Sequence, residues 1–325
     1  MELASFEIFL TVVEEMSFTR AAQRLYITQQ SLSYHIKRLE DAYHIQLFRR
    51  KPTLRLTPEG EAMVVFSKQI LASARSMTER FAELSDSAAG SLTLGISHQR
   101  SGAFFPGIWS SYHPTHKNIT IHLRERMTNQ LLEELQANQI DLMVGLDIPP
   151  IANLRVIPLV QEGLYCVLNE FLLQQYFPHD WQPKLDRYLR EGVDLMELRE
   201  MPLATVPPNN RLRAPLDALF AKNRCAPNII LESTEHSLLL QVACYGDALG
   251  ILNPLSFYDA YRTQQQIPAH CHFLRIHSMP AYSVQAAYRQ DIDQPQYLLD
   301  LVEAIRQEFH YYNSLLTQDL LVNYH

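Results

Sequence analysis

The sequence predicts an α + α/β protein: a small N-terminal winged helix-turn-helix, then one long helix, then a larger region of alternating strands and helices. Three observations carry this reading. The first sixty residues hold three short helical patterns and a basic extended hairpin. A proline-free apolar stripe runs from Glu59 to about Ser87. From Leu92 onward, short β-rich runs alternate with amphipathic stretches.

Length and composition agree with several packed units. The chain has 325 residues, 47% of them hydrophobic and 19% charged, with 10 glycines, and carries no repeat or low-complexity tract. The N-terminus lacks the basic region and apolar core of an export signal, and no apolar run is long enough to span a bilayer, so a cytoplasmic location is expected, with no membrane partner. The four cysteines, Cys166, Cys225, Cys244 and Cys271, show no paired spacing, so they read as reduced thiols. Net charge is −7, yet Met16 to Pro58 holds eight Lys or Arg against Glu40 and Asp41, a local net of +6 suited to phosphates.

The first helix is marked by Phe6, Phe9, Leu10 and Val13. Ser17 can cap a second helix, whose Ala21 and Ala22 permit close crossing, and Thr28 can cap a third running from Gln29 to about Tyr43. On this third helix Leu32, Ile36 and Leu39 share one face, which leaves Gln29, Gln30, Ser33, Tyr34, Lys37 and Arg38 on the others. Gln pairs bidentately with adenine, Ser bonds several bases, and Lys or Arg reaches guanine or phosphate, so that surface has the chemistry to read a major groove. The run Leu47 to Thr57 then forms two extended pieces turning at Pro52, with Arg49, Arg50, Lys51 and Arg55 as a basic wing. Thr57, Pro58 and the acids Glu59 and Glu61 mark the start of the long helix.

Along that helix Met63, Phe66, Ile70, Ala74, Met77, Phe81 and Leu84 follow three- and four-residue steps, a seam that calls for a partner helix. Ser87 to Gly90 breaks it. Strands are then expected at Leu92 to Ile96, Ile119 to Leu123, Ile140 to Leu146, Leu203 to Val206, Asn228 to Leu231 and Leu249 to Leu252, in parallel α/β sheets. In such sheets ligands sit beyond the carboxyl ends of strands. That rule selects His98, Gln99, Arg100 and Ser101; Met127, Thr128 and Asn129; Pro207 to Asn210; and Gly246 with Asp247. Arg100 and Arg126 suggest an anionic ligand, because guanidinium offers a planar fork of donors.

Phe6-Glu7-Ile8-Phe9, Ser17-Phe18-Thr19-Arg20-Ala21-Ala22, Leu25, Ser31-Leu32-Ser33, Ile36-Lys37-Arg38-Leu39-Glu40, Leu47-Phe48 and Leu56-Thr57-Pro58-Glu59-Gly60 together resemble the LysR-type transcriptional regulator family. The resemblance implies residues 1–58 as the DNA-binding domain, with Thr19, Arg20, Gln29, Gln30, Ser31, Ser33, Tyr34, Lys37, Arg38, Arg49, Arg50, Arg55 and Thr57 at the operator. It implies 59–89 as a linker helix pairing two chains, in dimers or tetramers. Residues 90–325 are then a two-lobed effector-binding domain like periplasmic solute-binding proteins, with lobe I at about 90–163 and 272–325 and lobe II at about 164–271. Two crossing strands near Val160 to Leu168 and Phe273 to Ala287 would join the lobes, and the C-terminal helix bearing Leu298, Leu301, Val302, Ile305 and Phe309 would complete lobe I. His98, Gln99, Arg100, Ser101, Thr128, Asn129, Pro207, Asn209 and Gly246 would face a small-molecule effector, and RNA polymerase is a further expected partner. The chain departs from the family's usual proline near Gln30, arginine near Tyr34 and glycine close to Ile45, and its segment Leu168 to Met201 is longer than usual, with a helix expected at Leu185 to Arg190.

Other chemistries fare less well. His113 with His116, and His270-Cys271-His272 with His277, have metal-like spacing but no partner pattern, so neither a metal nor another cofactor is expected. No nucleophile elbow, phosphate loop or paired-carboxylate signature predicts catalysis. A redox switch would require cysteines close in space, which their spacing does not suggest. The competing readings are a solute-binding sensor and a ligand-independent architectural DNA-binding protein.

Overall fold

The computed structural model describes residues 2–49, 53–84, 90–208, 210–264, 266–277 and 279–317. Three helices open the chain: α1 (Leu3–Glu15), α2 (Phe18–Arg24) and α3 (Gln29–Tyr43). Ser17 accepts the Arg20 N–H and Thr28 accepts the Ser31 N–H, so each hydroxyl satisfies an otherwise unpaired donor at a helix start. Phe9, Val12, Ala21, Leu32 and Ile36 are fully buried between the helices, each large side chain contributing about 1.5–3 kcal/mol. A two-stranded hairpin follows, β1 (Phe48–Arg49) against β2 (Arg55–Leu56), antiparallel. Its expected turn at Pro52, with Arg50 and Lys51, lies outside the described residues.

The long helix α4 spans Pro58–Leu84. Met63, read from sequence as part of the pairing seam, is instead buried in the N-terminal core, where α4 packs on α1. An apolar stripe alone does not say whose surface covers it, and the second turn of α4 is covered by its own domain. Phe66, Ile70, Met77 and Phe81 are exposed, Ala74 is half-buried, and the Leu84 side chain and the expected break at 87–89 fall outside the described set.

Lobe I is a five-stranded sheet ordered β4-β3-β5-β12-β6, built from β3 (Gly90–Ile96), β4 (Ile119–Glu125), β5 (Leu142–Leu146), β6 (Leu154–Glu162) and β12 (Tyr282–Arg289). It is flanked by α5 (His98–Tyr112), α6 (Thr128–Gln136) and the C-terminal α12 (Gln296–Thr317), whose Leu298, Leu301, Ile305 and Phe309 are buried. Lobe II is ordered β11-β7-β10-β8-β9, from β7 (Tyr165–Asn169), β8 (Leu203–Thr205), β9 (Ile229–Glu232), β10 (Leu249–Leu252) and β11 (Cys271–Arg275). It carries α7 (Glu170–Tyr176), α8 (Trp181–Glu191), α9 (Arg213–Lys222), α10 (His236–Tyr245) and α11 (Leu255–Arg262).

The sheets are mixed rather than parallel throughout. β12 runs antiparallel to β5 and β6, and β7 runs antiparallel to β10 and β11, because the chain leaves lobe I and returns to it instead of always crossing over through a helix. Each crossing is two strands with a break, at Gly163 and Leu164 and again between Arg275 and Tyr282. β11 pairs with β7 along its length, so the return to lobe I falls after Arg275 and not at 272. The long segment before Met201 contributes α7 and α8, and α8 covers β11 with Leu185 and Tyr188 buried. It ends at Gly192, whose φ of +81° and close approach to the Arg275 carbonyl suit glycine.

Candidate DNA-binding face and effector cleft

With Leu32, Ile36 and Leu39 turned into the core, α3 presents Gln29, Gln30, Ser33, Tyr34 and Lys37 around one open concavity. Tyr34 is 60% exposed, and the Arg38 guanidinium sits 5.8 Å from its ring centroid. Thr19 on α2 donates to the Gln29 amide oxygen at 3.5 Å, so both helices meet at one surface. Arg20 pairs with Glu15 at 3.4 Å, and Arg24 pairs with both Glu14 and Glu15. Ser31 is half-buried at the helix start. On the wing, Arg49 and Arg55 are exposed and directly opposite each other, while Arg50 lies outside the described residues.

Thr57 does not belong to that surface. It is buried, donating to the Gln46 carbonyl at 2.5 Å and accepting the Gly60 N–H at 2.9 Å. Its hydroxyl caps α4 and joins that helix to the loop before the wing, which leaves it unable to reach a phosphate.

The residues expected to face an effector sort differently. Gln99, at the start of α5, forms a reciprocal amide pair with Asn253 of lobe II, both bonds 3.3 Å, and also approaches Ser256 at 3.5 Å. Arg100 is buried and paired with buried Glu162 at 2.6 Å, so it is not a free anion holder. Beside it, burial first and the Arg100 charge second push His236 down to about 4. Exposed His98 bonds Glu125 at 2.9 Å, which raises its pKa, and Ser101 bonds the same carboxylate from the buried side; the two bonds lower Glu125. Thr128 accepts the Leu146 N–H at 3.2 Å.

A second clasp crosses the lobes. Arg211 donates to the Leu146 carbonyl at 2.9 Å and to the Asn129 amide oxygen at 2.8 Å. Pro207, half-buried, lies in the loop leading to this arginine, and Asn209 in the same loop falls outside the described residues. Gly246 is misplaced by the sequence reading. It precedes β10, at the opposite end of that strand from Asn253, and its carbonyl accepts the Asn169 amide at 2.7 Å. Asn253, Ser256 and Arg211 were missed, although the rule of carboxyl strand ends, applied to β10, points to Asn253. Arg126, the other expected anion holder, is exposed and donates to the Glu125 carbonyl.

The metal-like histidines are engaged elsewhere, His116 with Asp300 and His272 with Glu170, each at 2.9 Å. Among the described residues no group of three or more His, Cys, Asp or Glu is placed to hold a metal, and no helix is long and apolar enough to cross a membrane.

Residues 3–61 match the model for bacterial regulatory helix-turn-helix proteins of the lysR family, and residues 85–310 match the LysR substrate binding domain. The chain is 27% identical over 322 residues to the HTH-type transcriptional regulator BenM of Acinetobacter baylyi, covering 96% of this chain and 97% of that one. It is 26% identical over 255 residues to the regulator CfxR of Cupriavidus necator, covering 78% and 76%. The crystal structure of CbnR, a LysR family transcriptional regulator, shares the fold with a TM-score of 0.62 at 20% identity, covering 95% of this chain and 99% of that one. With a helix-turn-helix that displays an open polar face on α3 and a two-lobed domain clasped at Gln99 and Arg211, this chain belongs to the LysR family of DNA-binding transcriptional regulators with a substrate-binding domain.

Proposed function

We propose that the chain regulates transcription in the cytoplasm by binding, not by catalysis. Residues 1–58 read a two-fold operator, 59–89 pair two chains, and the remainder holds a small-molecule effector between its lobes. The observation that carries the reading is the open row of Gln29, Gln30, Ser33, Tyr34 and Lys37 on α3, set above a closed apolar core, in a domain whose hairpin exposes Arg49 and Arg55. Polar side chains that could fold inward are instead displayed, with the donor and acceptor types that base edges require. Phe66, Ile70, Met77 and Phe81, all exposed along one helix, support pairing of two chains, in a dimer or a tetramer.

The effector is held where the Gln99–Asn253 amide pair and the Arg211 clasp cross the cleft, since a ligand can take over those bonds and shift the lobes. Glu162 already neutralises Arg100, so an anionic effector would engage Arg211, which with Lys222 borders a groove between α9 and Tyr282.

Nuclease footprinting on DNA flanking the chain's own gene, over a range of salt, tests the reading. A protected dyad that persists at moderate salt and is lost in the Tyr34→Ala, Lys37→Ala double variant is expected. Absence of protection at every salt level, or protection indifferent to the variant, overturns it.

A further inference from the structure

At the far end of α10 from the cleft, two thiols meet. Cys244, in the last turn of that helix, places its Sγ 2.7 Å from the Sγ of Cys271, the first residue of β11. Non-bonded heavy atoms rest at roughly 3.5–4.0 Å, and a disulfide closes at ~2.05 Å. The pair stands between the two, and a thiol is too weak a hydrogen-bond donor to draw two sulfurs so close.

The approach is held by groups on both sides. Asn169 of β7 lies opposite Cys271 in the strand register. Its side-chain amide donates to the carbonyls of Ala243 and Gly246, at 3.0 and 2.7 Å, so it grips the backbone on either side of Cys244. The Cys271 N–H is bonded to the Pro268 carbonyl at 2.9 Å. Gly246 lets the chain turn tightly there, since a Cβ would meet the Val242 carbonyl at 2.6 Å. The other two thiols are not arranged this way. Cys225 sits 4.0 Å from the Met196 sulfur, and Cys166 is buried within β7, where desolvation pushes it up to about 12.

We propose that Cys244 and Cys271 are a dithiol–disulfide pair, a modification site that a small neutral peroxide converts to the bonded form. One sulfur attacks a peroxide oxygen and the O–O bond breaks; water leaves, and a sulfenic acid remains. The second thiol displaces the sulfenic oxygen as a further water, and the S–S bond forms. Two thiols lose two electrons, and the peroxide is reduced to two waters. Both cysteines are at least 98% buried, which shuts out bulky disulfide oxidants and charged ones. The Cys244 contact and burial both hold the Cys271 thiol up, so thiolate is scarce and the reaction is slow. The pair therefore acts as a durable latch and not a rapid sensor. Its consequence reaches the cleft, because the first residue of α10 is His236, buried beside Arg100.

The test uses the full chain, reduced, freed of reductant and exposed to increasing hydrogen peroxide. Thiols are counted after unfolding, and a non-reducing peptide map identifies any bridge. The expected result is a fall from four free thiols to two, with the Cys244 and Cys271 peptides joined and both thiols restored by dithiothreitol. The Cys166→Ser variant should form the same Cys244–Cys271 bridge as the parent, and Cys244→Ser should form no bridge at any dose. Four free thiols at every dose, oxidation without a bridge, or a bridge through Cys166 or Cys225 overturns the assignment. The map of the unmutated chain decides even where a variant fails to fold.

Discussion

Arg49 and Arg55 face each other across the wing as paired positions of β1 and β2. Like charges directly opposite in an antiparallel pair destabilise it, so the wing holds a repulsion that a phosphate between or beside them would relieve. Replacing Arg55 by Gln should weaken binding to all DNA sequences alike and reduce the steepness of the log-affinity versus log-salt line by about 1. It should also raise the stability of the free protein by about 0.2–1 kcal/mol. Fluorescence anisotropy across a salt series checks the first outcome and chemical denaturation the second.

Tyr34→Ala should behave differently from the wing variant. Because Tyr34 stands exposed on the face of α3 proposed to read bases, the loss should fall on the preferred sequence, about 1–3 kcal/mol, with nonspecific binding nearly unchanged. Competition between operator and random DNA separates the two effects.

His236 is depressed to about 4, so it is neutral when folded at a pH where the unfolded chain, with its ordinary value of 6.5, begins to protonate. Its contribution is full above 6.5 and is lost as pH falls towards 4, up to about 3 kcal/mol across that window. His236→Gln should flatten this part of the stability profile relative to the parent chain, as measured by urea unfolding at several pH values.

The Arg100–Glu162 pair is buried on both sides. Glu162→Ala should cost about 3–5 kcal/mol, because it leaves a guanidinium enclosed without its counter-charge. The double change Arg100→Met, Glu162→Met should be milder than the single one. Equal or greater loss in the double variant would show that the charges, and not their mutual neutralisation, sustain the fold.

His44 ends α3 at φ 56°, in the left-handed region that favours glycine. Relief of that strain exceeds the extra chain entropy of glycine, so His44→Gly should stabilise the chain by about 0.5–1 kcal/mol. Thermal unfolding reads the difference.

The N-terminal helices were legible because their signals are local: a capping hydroxyl at Ser17 or Thr28 and a three-to-four spacing of apolar residues act within a few positions. Asn253 was within reach of the carboxyl-end rule, being the residue after β10, but its pairing with Gln99, like that of Arg211 with Asn129, was illegible because only the meeting of two lobes brings the partners together. Met63 and Thr57 show a subtler limit. Each is a correct residue type for pairing or for phosphate contact, and only burial by the chain's own neighbours removes it from that role. The Cys244–Cys271 approach belongs to the same class, since 27 positions separate the thiols and β7 joins their elements.

The burial of Met63 packs the long helix into the core of the N-terminal domain. At 1.5 Å per residue, the 27 residues of α4 form a lever roughly 40 Å long, with the recognition helix fastened near one end. A tilt of about 5° at the distant end displaces the near end by about 3.5 Å, close to one step between stacked bases. On the proposed pairing along α4, small adjustments among paired chains would be geared into a change of one whole rung in the spacing at which two N-terminal domains grip the same duplex.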